Sequence, residues 1–306
     1  MDATPSVALP TDAESGMPQM PPAPTRIGAR TFSWGVRTFV MGVINVTPDS
    51  FSGDGLLSRD GDDPVEAAVA HAQRMADEGA DILDVGGEST RPGHADVHEA
   101  EELSRVVPVI RAIRAALPAT PVSVDTTKRS VAEAAIEAGA NLVNDVWATN
   151  PDSAMPAVAA AHALPLVVMH NRGEARYRNL VAEVLADLER AIERVLAVGV
   201  AWENVIVDPG IGFGKTADHN LALLHDLGLL AALGRPILLG TSRKSTIGKV
   251  LDLPADQRLE GTLATSALGI ASGADIIRVH DVRANVRVAR MTDAIVRGGW
   301  QEKPGG

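Results

Sequence analysis

Eight short, strongly apolar runs recur along the chain, each separated from the next by a longer stretch, and this rhythm limits the fold more than any other feature. The runs are residues 38–46, 81–87, 121–127, 141–148, 164–170, 204–210, 235–242 and 274–281. Continuous apolar character over so few residues describes strands buried on both faces, as in a parallel sheet covered by helices. The stretches between them, such as 64–78, 99–117, 129–138, 180–198 and 259–271, carry a helical pattern. Several open on Pro, Asp or Ser, the chemistry of a helix start. Eight alternating units in 306 residues match one (β/α)8 barrel, a TIM barrel, better than two doubly wound domains.

An internal echo supports the count. Glu78-Gly79-Ala80-Asp81, Ala138-Gly139-Ala140-Asn141 and Ser272-Gly273-Ala274-Asp275 each join a helix to a strand, with glycine supplying the left-handed stop. These turns are minimal, whereas the loops after Val46 and Gly87 are long and polar, so one barrel face is structural and the other functional. Residues 1–30 are rich in Pro, Ala, Thr and acidic side chains without a hydrophobic period and are expected to form a disordered tail. The barrel is expected over 31–300, with 301–306 a flexible C-terminus. The segment 31–37, centred on Gly35, reads as a hairpin closing the barrel floor.

Composition removes several functions. A net charge of -11 argues against nucleic acid and anionic membranes as partners, because phosphate binding needs a basic face. With no cysteine, disulfides, thiolate zinc sites and thiol catalysis are all absent by inventory, and the chain suits a reducing cytoplasm. No apolar run is long enough to span a bilayer, and the opening Met-Asp-Ala-Thr-Pro-Ser lacks the layout of a signal peptide.

The strands do not stay apolar to their ends. They finish at Asn45; at Asp84 with Glu88, Thr90 and Arg91 beyond; at Asp125; at Asn144 and Asp145; at Met169 and His170; at Asp208; at Ser242 before Arg243 and Lys244; and at Arg278 and His280. Burying such groups without partners costs several kcal/mol each (~2–7). Singly, each has a plain explanation. Asn144 or Asp125 could satisfy loop amides, Arg278 and His280 could form a salt-bridge pair, Asp208-Pro209-Gly210 is an ordinary turn, and His71, His94 and His170 look like surface or packing histidines. Gathered on one rim, they describe a site.

The rim's chemistry is specific. Asp125 and Asp208 could accept paired hydrogen bonds from an amino-substituted heterocycle. Arg278, His280 and Asn45 could hold a phosphate. The stretch Ser242-Arg243-Lys244-Ser245, leading into 246–251, reads as a helix start favouring a second anion. Gly210-Ile211-Gly212-Phe213-Gly214-Lys215 lacks the dinucleotide-binding spacing; its glycines let backbone lie close to a substrate, with Phe213 as a wall and Lys215 as a charge. No histidine and carboxylate set has metal-ligand spacing, but a magnesium ion carried by diphosphate could touch Asn45.

These motifs resemble the signatures of the dihydropteroate synthase family. Met41-Gly42-Val43-Ile44-Asn45-Val46-Thr47-Pro48-Asp49-Ser50-Phe51-Ser52 is similar to the first, and Asp84-Val85-Gly86-Gly87-Glu88-Ser89-Thr90-Arg91-Pro92-Gly93 to the second. Ser123-Val124-Asp125-Thr126, Asn144-Asp145, Asp208-Pro209-Gly210, Ser242-Arg243-Lys244-Ser245 and Arg278-Val279-His280-Asp281 follow in order, so the resemblance covers about residues 38–297.

The resemblance implies a transferase that joins a dihydropterin diphosphate to p-aminobenzoate, a Mg2+ cofactor and a homodimer. It implies a pterin pocket of Asp125, Asn144, Met169, Asp208, Phe213 and Lys244, and a diphosphate site of Asn45, Thr90, Arg91, Arg278 and His280, with Asn45 touching the metal. The p-aminobenzoate site would comprise Thr90, Arg91, Pro92, Phe213, Lys215 and Ser245, beneath mobile loops near 47–55 and 89–93. The implied catalytic residues are Asp125, Lys244, Arg278 and His280. The family is also a sulfonamide target, and this chain departs from it near that subsite, with Phe51-Ser52-Gly53-Asp54-Gly55 in the first loop and Ile211 where a second Phe is frequent. A barrel that passes methyl groups from methyltetrahydrofolate to a corrinoid is similar in fold, but would lack the Ser-Thr-Arg-Pro loop and the Ser-Arg-Lys-Ser turn.

Overall fold

A computed structural model describes residues 21–47, 63–88, 97–298 and 300. All eight expected runs form strands: β3 (Phe39–Asn45), β4 (Ile82–Gly86), β5 (Val122–Asp125), β6 (Leu142–Asp145), β7 (Leu166–Met169), β8 (Val205–Asp208), β9 (Leu238–Leu239) and β10 (Ile276–Val279). They pair in parallel in the order β8-β7-β6-β5-β4-β3-β10-β9. A single parallel bridge between Val207 and Ile237 brings β8 back to β9 and nearly closes the barrel.

The helices that cover the sheet are α1 (Pro64–Asp77), α2 (Glu99–Ala116), α3 (Arg129–Glu137), α4 (Met155–Ala161), α5 (Leu180–Ala197), α6 (Ala217–His225), α7 (Ser245–Leu251), α8 (Leu259–Ala271) and α9 (Val282–Val296). In α1 the Asp63 carboxylate caps the start by accepting from Val65 N, and Pro64 fills the first turn. Gly79 and Gly139, at φ +104° and +113°, make the tight helix-to-strand turns that the repeated Gly-Ala pair foretold.

Because alternate strand residues face opposite ways, the outward set packs on the helices while the inward set fills the barrel. Its lowest inward layer is apolar: Phe39, Met41, Ile82, Leu142, Val167, Ile206, Leu238 and Ile276. Ile27, Phe32 and Trp34 join that layer from below. They belong to a hairpin of β1 (Thr25–Ile27) and β2 (Arg30–Phe32), antiparallel and turned at Gly28, where φ is +59°.

The hairpin expected at 31–37 therefore lies earlier in the chain. Residues 25–30, assigned from sequence to the tail, belong to the fold because Ile27 buries its side chain completely and Thr25 ties the floor together. The Trp34 indole N–H donates to Thr25 Oγ1 at 3.0 Å, and that hydroxyl donates to Glu203 O at 2.5 Å. Residues 1–20 and 301–306 lie outside the described residues. Among those described, no helix is long and apolar enough to cross a membrane.

Candidate active site

Above the apolar floor most inward residues are polar, Asp84, Ser123, Asp125, Asn144, Asp208 and Arg278, with Val43 and Met169 the apolar members among them. The pairing register sets Asp84 beside Ser123 and, one inward step higher, Asp125 beside Asn144, and side-chain hydrogen bonds tie the two levels into one polar tier. Arg278 crosses the barrel to bind both carboxylates. Its Nε donates to Asp84 Oδ2 at 2.6 Å and its Nη2 to Asp125 Oδ2 at 2.7 Å, while Asn144 Nδ2 donates to Asp84 Oδ2 at 3.1 Å. Asp84 Oδ1, Ser123 Oγ and Asp125 Oδ1 are buried and make no hydrogen bond. Buried oxygens of this kind cost stability unless a ligand supplies donors.

Asn144, Met169, Asp208, Phe213, Gly240, Lys244 and Arg278, with Val146, line a small recess that opens at the C-terminal end of the strands. Lys244 reaches inward, donates to the Ile211 carbonyl and lies 4.7 Å over the Phe213 ring. Arg243, the residue before Lys244, has a left-handed backbone at φ +56° although it is not glycine. Arg243 Nη2 is held by Asp281 Oδ1 at 2.9 Å, and its amide donates to Thr262 Oγ1 at 3.1 Å.

Burial sets the electrostatics of the recess. It pushes the Asp125 carboxyl up to about 7 against the pull of Arg278, and nearby Asp84 adds to the rise. Burial also raises Asp208 and draws Lys244 down to about 8. Arg278, facing two carboxylates, stays charged. The tier thus combines poised carboxyls with fixed and titratable cations.

Most expected residues meet here. Asn144, Met169, Asp208, Phe213, Lys244 and Arg278 share the recess, and Asp125 is tied to it through Arg278. His280 lies just above Arg278, with Nδ1 2.9 Å from Ser242 Oγ. Asn45 ends β3 and is partly exposed, and Ser245 is exposed at the first turn of α7. Thr90, Arg91 and Pro92 lie outside the described residues, as do His94 and nearly all of the first loop.

Lys215 does not line the recess. Its ammonium is turned inward, 2.9 Å from His170 Nδ1 and bound to the carbonyls of Gly210 and Phe213, each at 3.0 Å, rather than offered to an anion at the mouth. Arg278 differs in part, because Nε and Nη2 are committed to carboxylates and only its outer edge is left for diphosphate. Asp145 faces outward, accepting from Trp147 N and Ser153 Oγ. Ile211 is 1 % exposed and packs in the core, so this departure from the family pattern does not line the recess.

Two contributors escaped the sequence reading. Asp84 was noted as a strand end but given no role, although it anchors Arg278. Glu102, fully buried on α2, binds Lys128 at 2.6 Å, and Lys128 also holds Glu88 at 2.5 Å. Glu88 in turn accepts from Val97 N at 2.9 Å. A charged residue one turn before Val106, on the stripe that continues through Val109, Ile110 and Ile113, was the available signal.

Residues 41–280 match the family model described as pterin binding enzyme. A dihydropteroate synthase from Clostridium beijerinckii is 52 % identical over 273 residues, covering 89 % of this chain and 99 % of the relative. The chain belongs to the dihydropteroate synthase family. The Bacillus subtilis member is 50 % identical over 267 residues, 87 % of this chain and 92 % of its own length. Among solved members, one from Clostridium difficile in the presence of pteroic acid superposes with a TM-score of 0.82 at 47 % identity, covering 87 % of this chain and 99 % of the other. The Xanthomonas albilineans dihydropteroate synthase with 4-aminobenzoic acid gives 0.83 at 42 %, covering 90 % and 98 %. Another structure of that enzyme, in complex with 7,8-dihydropteroate, gives 0.81 at 39 %, covering 89 % and 98 %.

Proposed function

We propose that this chain condenses (7,8-dihydropterin-6-yl)methyl diphosphate with p-aminobenzoate to give 7,8-dihydropteroate and diphosphate. The observation that carries the reading is the polar tier itself, in which buried, unsatisfied carboxylate oxygens stand beside cations above a dry floor. A flat heterocycle with several N–H donors satisfies Asp125, Asn144 and Asp208 together, and Met169 and Phe213 supply apolar walls.

The reaction breaks the bond between the pterin methylene carbon and the diphosphate oxygen, with the electron pair leaving on oxygen. The aromatic amine then forms the new C–N bond and gives up a proton. Asp125, Asp84 and Asp208 favour positive charge on the pterin as that bond opens. Lys244, His280, Asn45 and the outer edge of Arg278 receive the negative charge that develops on the leaving group, with Thr90 and Arg91 assigned to the same role. Such preorganised charge of opposite sign at the two ends of a breaking bond is the strongest lever an active site has. Thr90, Arg91, Pro92, Phe213 and Ser245 are assigned to p-aminobenzoate, and sulfonamides, as its analogues, are expected to compete there.

For the metal, no group of three or more His, Cys, Asp or Glu among the described residues could hold an ion. Asn45 offers one oxygen, which fits a Mg2+ ion bound mainly by diphosphate and water, as this cation prefers. When bound there, it would neutralise charge on the departing diphosphate. The composition without cysteine supports a cytoplasmic setting. We also read the chain as a homodimer: neighbouring helices α8 and α9 expose Leu268 at 67 %, Met291 at 63 % and Ile295 at 70 %, an apolar face that a second copy would cover. Light scattering on wild type and Leu268→Glu checks this, with a dimer expected for the first and a monomer for the second.

The decisive assay is diphosphate release. It is expected only when both the dihydropterin diphosphate and p-aminobenzoate are present, with 7,8-dihydropteroate formed in equal amount. Release without the arylamine, or no release with both, would overturn the reading.

A further inference from the structure

The surroundings of Lys215 are more specific than burial of one cation requires. The side chain passes beneath the loop 210–214, and Nζ has three close acceptors for its three N–H bonds: Gly210 O, Phe213 O and His170 Nδ1. The Asp187 carboxylate beside Nε2 only accepts, so the ring proton sits on Nε2 and Nδ1 accepts from Lys215. Nε2 lies 3.1 Å from Asp187 Oδ2, which also accepts from Arg172 Nη2 at 2.6 Å.

The loop itself has little freedom. Gly210 is left-handed at φ +68°, and a Cβ there would stand 1.8 Å from His170 O. Gly214, at φ +54°, would place a Cβ 2.2 Å from Arg172 O. The loop therefore lies backbone against backbone on residues 170–172, and the Tyr177 hydroxyl donates to Gly214 O at 2.9 Å. Phe213 sits between these two glycines and presents its ring to the recess.

We propose that Lys215 and His170 form a buried positioning pair that holds loop 210–214, and through it the Phe213 ring, in the orientation that receives the arylamine, with Asp187 fixing the histidine tautomer. The inference deepens the function proposed above and rests on it. Neither residue touches substrate. Both act through Phe213.

The charges around the pair agree with this role. Burial, Lys215 and Arg172 hold His170 down at about 4 against the pull of Asp187, so the ring is neutral and Nδ1 can accept at neutral pH. Lys215 faces Asp208, Lys244, Arg172 and Asp187, and burial draws it down to about 7. Asp125 and Asn144, by contrast, stand on β5 and β6, whose positions do not depend on the loop. Phe213 is only one wall of the pterin pocket, whose polar contacts come from the strands, so disturbing the pair should weaken p-aminobenzoate far more than the pterin.

The test compares full-length Lys215→Met, His170→Leu and His170→Asn, in the last of which Oδ1 stands in for Nδ1. Three quantities are measured: KM for p-aminobenzoate with kcat at saturating dihydropterin diphosphate, the Kd of 6-hydroxymethylpterin by calorimetry, and the thermal midpoint. Lys215→Met and His170→Leu are expected to raise KM for p-aminobenzoate by about tenfold, the loss of roughly one good interaction. The pterin Kd should stay within about threefold of wild type, and His170→Asn should recover most of the loss. An unchanged KM, a pterin Kd that rises in step with KM, or a His170→Asn variant as poor as His170→Leu would overturn the assignment. If Lys215→Met does not fold, the two His170 variants decide. Wild type that binds the pterin but never turns over both substrates would instead overturn the functional reading, and this inference with it.

Discussion

Asp125 faces two opposing demands, since its carboxyl is buried enough to favour the neutral form yet sits 2.7 Å from Arg278 Nη2. In Asp125→Asn the amide oxygen can still accept from Arg278, which also keeps Asp84, so stability should change by no more than about 1 kcal/mol. Loss of charge on the pterin side should lower kcat/KM by roughly 10²–10³-fold, as removal of one preorganised electrostatic group does. Steady-state kinetics with a melting curve separates the two effects. Because the functional carboxyl titrates at about 7 and Lys244 at about 8, wild-type kcat/KM should fall on the acid side through Asp125 protonation and on the alkaline side through Lys244 deprotonation. The acid limb should vanish in Asp125→Asn. An acid limb that persists there belongs to another group. At this scale the sequence located the chemistry well, because a polar residue closing an apolar run is conspicuous. It could not show where each side chain points: Lys215 reads as a free charge until the acceptors around its ammonium are seen.

Strand β6 shows how one dipeptide divides between two duties. Asn144 faces the barrel, whereas Asp145 faces out and ties the following turn through Trp147 N at 2.9 Å and Ser153 Oγ at 2.6 Å. The alternation follows from the pleat, and knowing the strand's register would have separated the two residues in advance. Burial raises Asp145 to about 6. Between its unfolded value, about 3.9, and 6 the folded state holds the proton more tightly, so its contribution to stability falls as pH rises through that window. Asp145→Asn should remove this term, so its thermal midpoint, relative to wild type, should climb between pH 4 and 6. A constant difference between the two curves would refute it.

The hairpin of β1 and β2 was harder to read than the barrel strands, because three-residue strands containing Arg26, Arg30 and Thr31 have no hydrophobic period to betray them. Its contribution is packing: Phe32, Trp34 and Phe39 form an aromatic cluster with ring centroids 4.7–5.8 Å apart. Trp34→Ala should cost about 3–5 kcal/mol by chemical denaturation. Since the apolar layer separates the floor from the polar tier, kcat measured well below the melting temperature should remain close to wild type.

Viewed whole, the barrel has one thin seam. Five register pairs join β3 to β4, whereas β9 is two residues long and meets β8 through the lone Val207–Ile237 bridge, with Val207 N donating to Pro236 O at 3.0 Å. Local opening follows the weakest pairing, so amide exchange at Val207 should be at least about tenfold faster than at Leu83, whose amide donates to Pro121 O at 3.0 Å. Equal protection across the seam would contradict this. The sequence showed eight strands because each is apolar, but closure depends on how few residues of the seventh barrel strand pair, and a run at 235–242 gives no sign of that.

The bonds of the floor also impose an order on synthesis. Thr25 reaches Glu203 O, Gly35 N reaches the Asp275 carboxylate at 3.1 Å, and Thr38 N reaches Asp293 at 2.7 Å. This segment thus waits during synthesis for partners made some 180 to 255 residues later. Its tryptophan and phenylalanines remain without their final neighbours until residues as late as Asp293 have been made, which makes the nascent chain a natural client for chaperones during that interval.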